Sequence, residues 1–88
     1  MNFSVPWSRH AETRLARLWL QSSDRVGVTR AAAEIDERLR RDASNVGESR
    51  FDDCRITHVA PLGAVFSVDV DNRAVLVLDV WRYEKRDR

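Results

Sequence analysis

The chain has 88 residues, 43% hydrophobic and 33% charged, with a formal net charge of +1, so it is neither a disordered polymer nor a strongly basic polyanion binder. That length makes one small domain spanning 1–88, burying only about 60–65% of its unfolded surface. No apolar run approaches the roughly 20 residues that cross a bilayer, and the single cysteine, Cys54, excludes an internal disulfide or a cysteine-built zinc cage.

The N-terminal Met1-Asn2-Phe3-Ser4-Val5-Pro6-Trp7 has neither the basic start nor the apolar run of a signal peptide, which leads us to expect a cytoplasmic protein. Phe3–Trp7 alternates and is β-prone, but Pro6 cannot donate to a ladder, so an edge strand is expected. Ser8 reads as an N-cap with Glu12 near the positive end of the helix dipole. Ala11, Leu15, Leu18 and Trp19 then recur at helical spacing to about Leu20, before Gln21-Ser22-Ser23 breaks the pattern.

Asp24 is the next candidate cap. Val28, Ala31 or Ala32, Ile35 and Leu39 form the apolar stripe of a second helix, to about Arg41. Gly27 weakens its first turn by up to about 1 kcal/mol relative to alanine. The short link and two amphipathic faces predict an antiparallel helical hairpin. Asp42–Gly47 reads as a loop. Glu48–Phe51 reads as a short strand or extended lead-in, with Asp52-Asp53 as its turn.

From Cys54 to Tyr83 the sequence predicts an antiparallel meander. Pro61-Leu62-Gly63 would separate its first two strands and Asp71-Asn72 the second and third, as residue types that tolerate tight hairpin turns. Phe66, Val68 and Val70 share one parity and are expected under the helices, with Val65, Ser67 and Asp69 on the other face. Val75–Leu78 is apolar on both faces and reads as a central strand. The expected fold is therefore α+β, in β-α-α-β-β-β order, with the meander packed on the helical hairpin.

This order resembles the RelE/ParE superfamily of bacterial type II toxins from Phe3 to about Lys85. The resemblance rests on Ala11-Glu12, the stripe of the second helix, the Gly47-Glu48 exit loop and Arg55-Ile56. Val65-Phe66-Ser67-Val68 and the terminal Val80-Trp81-Arg82-Tyr83 continue it. It implies the toxin component of a toxin–antitoxin module, related to plasmid stabilisation proteins, that inhibits growth and is neutralised by a cognate antitoxin. The target would be translation, through ribosome-dependent mRNA cleavage without metal or cofactor, or another essential target such as DNA gyrase.

In the mRNA-cleaving branch a base takes the ribose 2′-OH proton, basic groups hold the phosphate and an acid protonates the leaving oxygen. Carried onto this chain, Glu48 stands at the base position, Arg55 at a phosphate contact, and Arg82 and Tyr83 at the C-terminal pair. These four are the candidate catalytic residues. Gly63 stands where that branch has an arginine, and Glu84 and Lys85 where it has histidine and tyrosine. The alternative is a catalytically degenerate interaction protein that keeps the fold.

Each candidate also has a structural reading. Glu48 could be an exposed loop carboxylate, and Arg55 a cross-strand ion-pair partner of Asp69 or Asp79. His58 shares the parity of Ile56 and reads as a partly buried structural histidine, with general acid as its other role. Trp81 and Tyr83 could pack in a core or interface, or stack on a base. Arg82 and the tail 85–88 could be a solvated end. The helices could instead support a homodimer. All 15 basic residues except Lys85 are arginine, whose rigid fork suits phosphate and carboxylate.

Overall fold

The computed structural model describes residues 2–50 and 53–83. Two helices, α1 (Arg9–Gln21) and α2 (Arg25–Asp42), precede four strands: β1 (Glu48–Ser49), β2 (Cys54–Val59), β3 (Leu62–Asp69) and β4 (Ala74–Arg82). The strands form one antiparallel sheet in the order β1-β2-β3-β4, with the helices on one face. No helix among the described residues is long and apolar enough to cross a membrane.

The helix starts are set by side-chain caps. Ser8 accepts from the Ala11 amide at 3.0 Å, and its hydroxyl donates to the Leu78 carbonyl at 3.1 Å, tying the start of α1 to β4. Asp24 accepts from the Gly27 amide at 3.0 Å. A Cβ at Gly27 would lie 2.2 Å from the Asp24 carboxylate, so the residue that weakens this turn also makes room for its cap. The inner stripe of α2 is Val28, Ala31, Ile35 and Leu39, all buried. Its outer face carries Glu34–Arg38, Asp36–Arg40 and Glu37–Arg41 pairs one turn apart. A single 3-10 turn, Ala43–Asn45, follows and buries Ala43.

The core lies between the helices and the sheet. Ile35 and Leu39 from α2 meet Leu62, Ala64 and Phe66 from β3 and Val75, Val77 and Val80 from β4. Full burial of each larger side chain contributes about 1.5–3 kcal/mol. A bulge keeps the β4 valines inward: Val65 pairs with Asp79 but Phe66 with Val77, so Leu78 is the extra residue. Val77 and Val80, three apart, therefore face the same side.

β4 has neighbours on both flanks, as its two-sided apolar pattern predicts. On the side away from β3, the N-terminal segment makes two isolated parallel bridges, Ser4 with Ala74 and Trp7 with Val77. Ser4 donates to Arg73 and Ser8 to Val77, while Val75 and Val77 donate to Ser4 and Pro6. Pro6 has no N–H for the bond between them, which interrupts the ladder at that residue.

Three local expectations are corrected. Leu62 and Gly63 belong to β3, because a two-residue turn at Ala60-Pro61 lets Val59 pair with Leu62 and His58 with Gly63. Val70 is 60% exposed, since β3 ends at Asp69 and Val70 enters the turn. The β3–β4 loop is 70–73, and its positive φ falls on Arg73 (50°) rather than on Asp71 or Asn72. Asp69 closes that loop, accepting from the Asn72 amide at 3.2 Å and its side-chain nitrogen at 2.8 Å. These bonds hold the Asp69 carboxyl below its ordinary pKa. The Phe51 and Asp52 assignments, Glu84, Lys85 and the rest of the tail lie outside the described residues.

Candidate functional site

The register sorts the candidates onto two faces. Arg55 pairs with Phe66, and Arg82 with Leu62, so both arginines start on the helix-covered side. Glu48 pairs with Ile56 on the opposite, open side, which also carries His58, Gly63 and Trp81.

Arg55 braces the chain as it leaves α2. Its Nε donates to the Val46 carbonyl and its Nη2 to the Gly47 carbonyl, each at 2.8 Å. The loop is tight here. Gly47 has φ 69°, and a Cβ on it would sit 2.1 Å from the Ile56 carbonyl oxygen. The effect is to fix the start of β1, where Glu48 stands exposed. The aspartates considered as partners for Arg55 are engaged elsewhere. Asp69 caps its own loop, while Asp79 holds His10 at 3.2 Å and Arg14 at 3.5 Å. Arg82 lies beside Leu62, Pro61 and the α1–α2 turn residues Ser22, Ser23 and Asp24.

On the open face, His58, Gly63 and Trp81 form one cross-strand row over β2, β3 and β4. The indole of Trp81 covers Gly63 so closely that a Cβ there would be 2.4 Å from Nε1. The place where the resemblance expects an arginine is therefore filled by a ring. His58 is exposed rather than partly buried, because the helices cover the Thr57 and Val59 side of β2. Its imidazole lies 4.2 Å from the Tyr83 ring, tilted by 31°, and 6.1 Å from Trp81 in an edge arrangement. The Tyr83 amide donates to the Pro61 carbonyl at 2.8 Å, extending β4 by one residue.

Glu48 and His58 line one cleft of about 300 Å³ with Arg38, Arg50 and Ile56. They are diagonal neighbours across β1 and β2, an arrangement that places backbones roughly 7–8 Å apart. A carboxylate and two guanidinium-bearing residues border this cleft, and the His58 ring at its margin leans across Gly63 onto Tyr83. Sequence reasoning assigned Glu48 to the site but not Arg38 or Arg50. Arg38 comes from the exposed face of α2, and only the tertiary fold brings it to the β1–β2 ribbon. Among the described residues no three histidine, cysteine or acidic side chains form a metal-holding group.

A second feature lies on the helical hairpin. Trp7, Leu15, Trp19, Leu20, Val28 and Ala32 line an apolar groove of about 560 Å³. Leu20 is 63% exposed and Trp19 38%. Trp19 is nevertheless held in place: its Nε1 donates to Thr29 at 3.2 Å, and the Arg25 guanidinium sits 4.7 Å from its ring. Arg25 also donates to the Trp19 and Leu20 carbonyls, capping the end of α1.

No protein-family model and no curated protein sequence matches the chain. Solved structures do. The RelBE2 toxin–antitoxin complex of Mycobacterium tuberculosis superposes with a TM-score of 0.78 at 14% identity, over 97% of this chain and 95% of that one. A chromosomal ParDE toxin–antitoxin system from P. aeruginosa gives 0.63 at 19% identity, covering 93% and 97%. The isolated E. coli RelE toxin gives 0.62 at 16% identity, covering 97% and 88%. The chain has the RelE/ParE toxin fold.

Proposed function

We propose that this RelE/ParE-fold chain is the toxin of a bacterial type II toxin–antitoxin module, acting in the cytoplasm and neutralised by a cognate antitoxin. The observation that carries this is the apolar groove between α1 and α2, with Trp19 pinned at its edge. A monomer gains nothing by exposing ordered tryptophan and leucine there, whereas an amphipathic partner segment would bury them. Four of the structures with this fold are toxins bound to antitoxins or an antitoxin peptide, so an antitoxin segment is the occupant we assign. Arg25, beside Trp19, favours a segment with acidic residues flanking its apolar face.

The target we assign is translation, through cleavage of mRNA on the ribosome. It is supported by the cleft that gathers Glu48, His58, Arg38 and Arg50. A second reading, an interaction protein that keeps the fold without the chemistry, is favoured by two specific observations. Arg55 is bound by carbonyls, and Trp81 covers the Gly63 position.

Induced expression of the chain alone in bacteria separates these possibilities. The toxin reading expects growth arrest, falling amino-acid incorporation and new mRNA ends by primer extension. Arrest with intact mRNA and DNA-damage signalling would move the target to DNA gyrase. Normal growth at high expression would leave only the interaction protein.

A further inference from the structure

We infer that, in the absence of an antitoxin, a second copy of this chain covers the α1–α2 groove, in a two-fold pair whose α1 helices cross antiparallel at Ala16. The pairing goes beyond the toxin reading and does not depend on it; only its consequence for neutralisation rests on that reading.

Glu12, Ala16 and Leu20 are all exposed and recur every four residues, so they form one ridge of α1. Beside the ridge lies the groove of about 560 Å³, lined by Leu15, Trp19, Val28 and Ala32. Ala16 projects only a methyl group, which lets two helix axes approach to about 8–10 Å. Leu20, 63% exposed, stands out from the same surface that carries the groove. A patch that bears both a projecting side chain and a hollow can be matched by a copy of itself about a two-fold axis. Trp19 is already fixed by Thr29 and Arg25, so little side-chain freedom is lost when it is covered.

Charge sets the direction of the pairing. The Glu12 carboxylate borders the groove and has no hydrogen bond or ion pair among the described residues. The Arg25 guanidinium lies over Trp19 and uses Nε and Nη2 on the Trp19 and Leu20 carbonyls, which leaves its Nη1 edge for a carboxylate. Within one chain, residues 12 and 20 are about 12 Å apart along the helix axis. A two-fold axis at Ala16 sets residue 12 of one copy opposite residue 20 of the other, and so brings each Glu12 to the partner's Arg25. A parallel pairing would oppose Glu12 to Glu12 and Arg25 to Arg25, which like-charge repulsion disfavours.

The contact is one helix wide, roughly 1,200 Å² or less, so the pair is reversible, with a dissociation constant in the micromolar range. An antitoxin segment entering the groove displaces the second copy and offers Arg25 the carboxylate that Glu12 supplies in the pair. Free toxin thereby keeps its apolar groove out of water until it is neutralised.

Sedimentation equilibrium of the purified chain tests this. The wild type should pass from monomer to dimer across micromolar concentrations. Ala16→Glu, at an exposed position, should keep the wild-type circular dichroism and weaken the dimer by about 10-fold or more. Glu12→Arg and Arg25→Glu should each be monomeric alone, yet form a dimer when mixed, because the mixed pair opposes unlike charges at both ends. Arg25 also caps α1, so Ala16→Cys with Cys54→Ser supplies a second test: oxidation should link two copies through position 16. A wild type that stays monomeric at millimolar concentration overturns the proposal and leaves the groove to the antitoxin segment. A dimer indifferent to Ala16→Glu, folded charge variants that stay monomeric when mixed, or an Ala16→Cys chain that does not cross-link also overturns it. Growth arrest by a monomeric chain would leave the toxin assignment standing without the pair. A dimer with these properties that neither arrests growth nor cuts RNA would uphold the pair without the toxin assignment.

Discussion

Replacing Gly63 with alanine should change its sign of effect when Trp81 is removed. In the wild-type chain the new methyl group would meet Nε1 of Trp81 at 2.4 Å and Cε2 at 2.5 Å, inside any real contact distance. The indole must shift, and overpacking of this kind costs about 1–3 kcal/mol. Alanine in a strand interior gains roughly 0.5–1 kcal/mol over glycine by restricting the unfolded chain. The net expectation is a loss of up to about 2 kcal/mol, or roughly 4–8 °C in Tm for each kcal/mol in a domain of this size. In a Trp81→Ala background the clash is gone, so Gly63→Ala should stabilise by roughly 0.5–1 kcal/mol. Urea denaturation followed by far-UV circular dichroism gives all four corners of the cycle. A coupling of about 1–3 kcal/mol is expected between these contacting residues. Additive effects would refute the placement of the indole over Gly63, and with it the explanation of why no arginine stands there.

Arg55→Ala should lower stability by about 1–3 kcal/mol through loss of two charged hydrogen bonds to Val46 and Gly47. Arg55→Lys should recover only part of this, because a single ammonium lacks the fork that spans both carbonyls; equal stability of all three proteins in denaturation would rule out the brace. Ile35→Ala, emptying a fully buried position under the sheet, should cost about 2–5 kcal/mol, and a loss under 1 kcal/mol would contradict its burial. Asp69 has a lowered folded pKa, so its hydrogen bonds to Asn72 favour the fold above the unfolded pKa. That contribution disappears as pH falls through the folded value. Asn72→Ala should bring the Asp69 carboxyl titration, read by carbon NMR, back up toward the ordinary aspartate value; an unchanged titration would assign the shift to another cause.

The elements with a repeating apolar pattern were legible in the sequence. The α2 stripe, the caps Ser8 and Asp24 and the inward parity of Phe66 and Val68 all follow from spacing and side-chain chemistry. What spacing does not encode is which face of a strand the helices cover. That is why His58 was expected to be partly buried: Ile56 suggested an inward face, yet Thr57 is the buried residue and Ile56 borders the open cleft. The role of Arg55 was hidden for a related reason. Its partners are main-chain carbonyls, displayed by a glycine at φ 69°, and no pattern of side chains announces them. Arg38 lies off the apolar stripe of α2 and pairs with Glu34, so nothing in its spacing marks it. Only the docking of α2 beside β1 and β2 brings it to Glu48 and His58.

Whether the chain cuts messenger RNA is decided most directly with purified protein in a bacterial translation extract programmed with an end-labelled mRNA. The predicted result is arrest of peptide synthesis with new fragments ending in a 2′,3′-cyclic phosphate and beginning with a 5′-hydroxyl. Uncut mRNA with undiminished synthesis, at protein concentrations matching the ribosomes, would contradict the account.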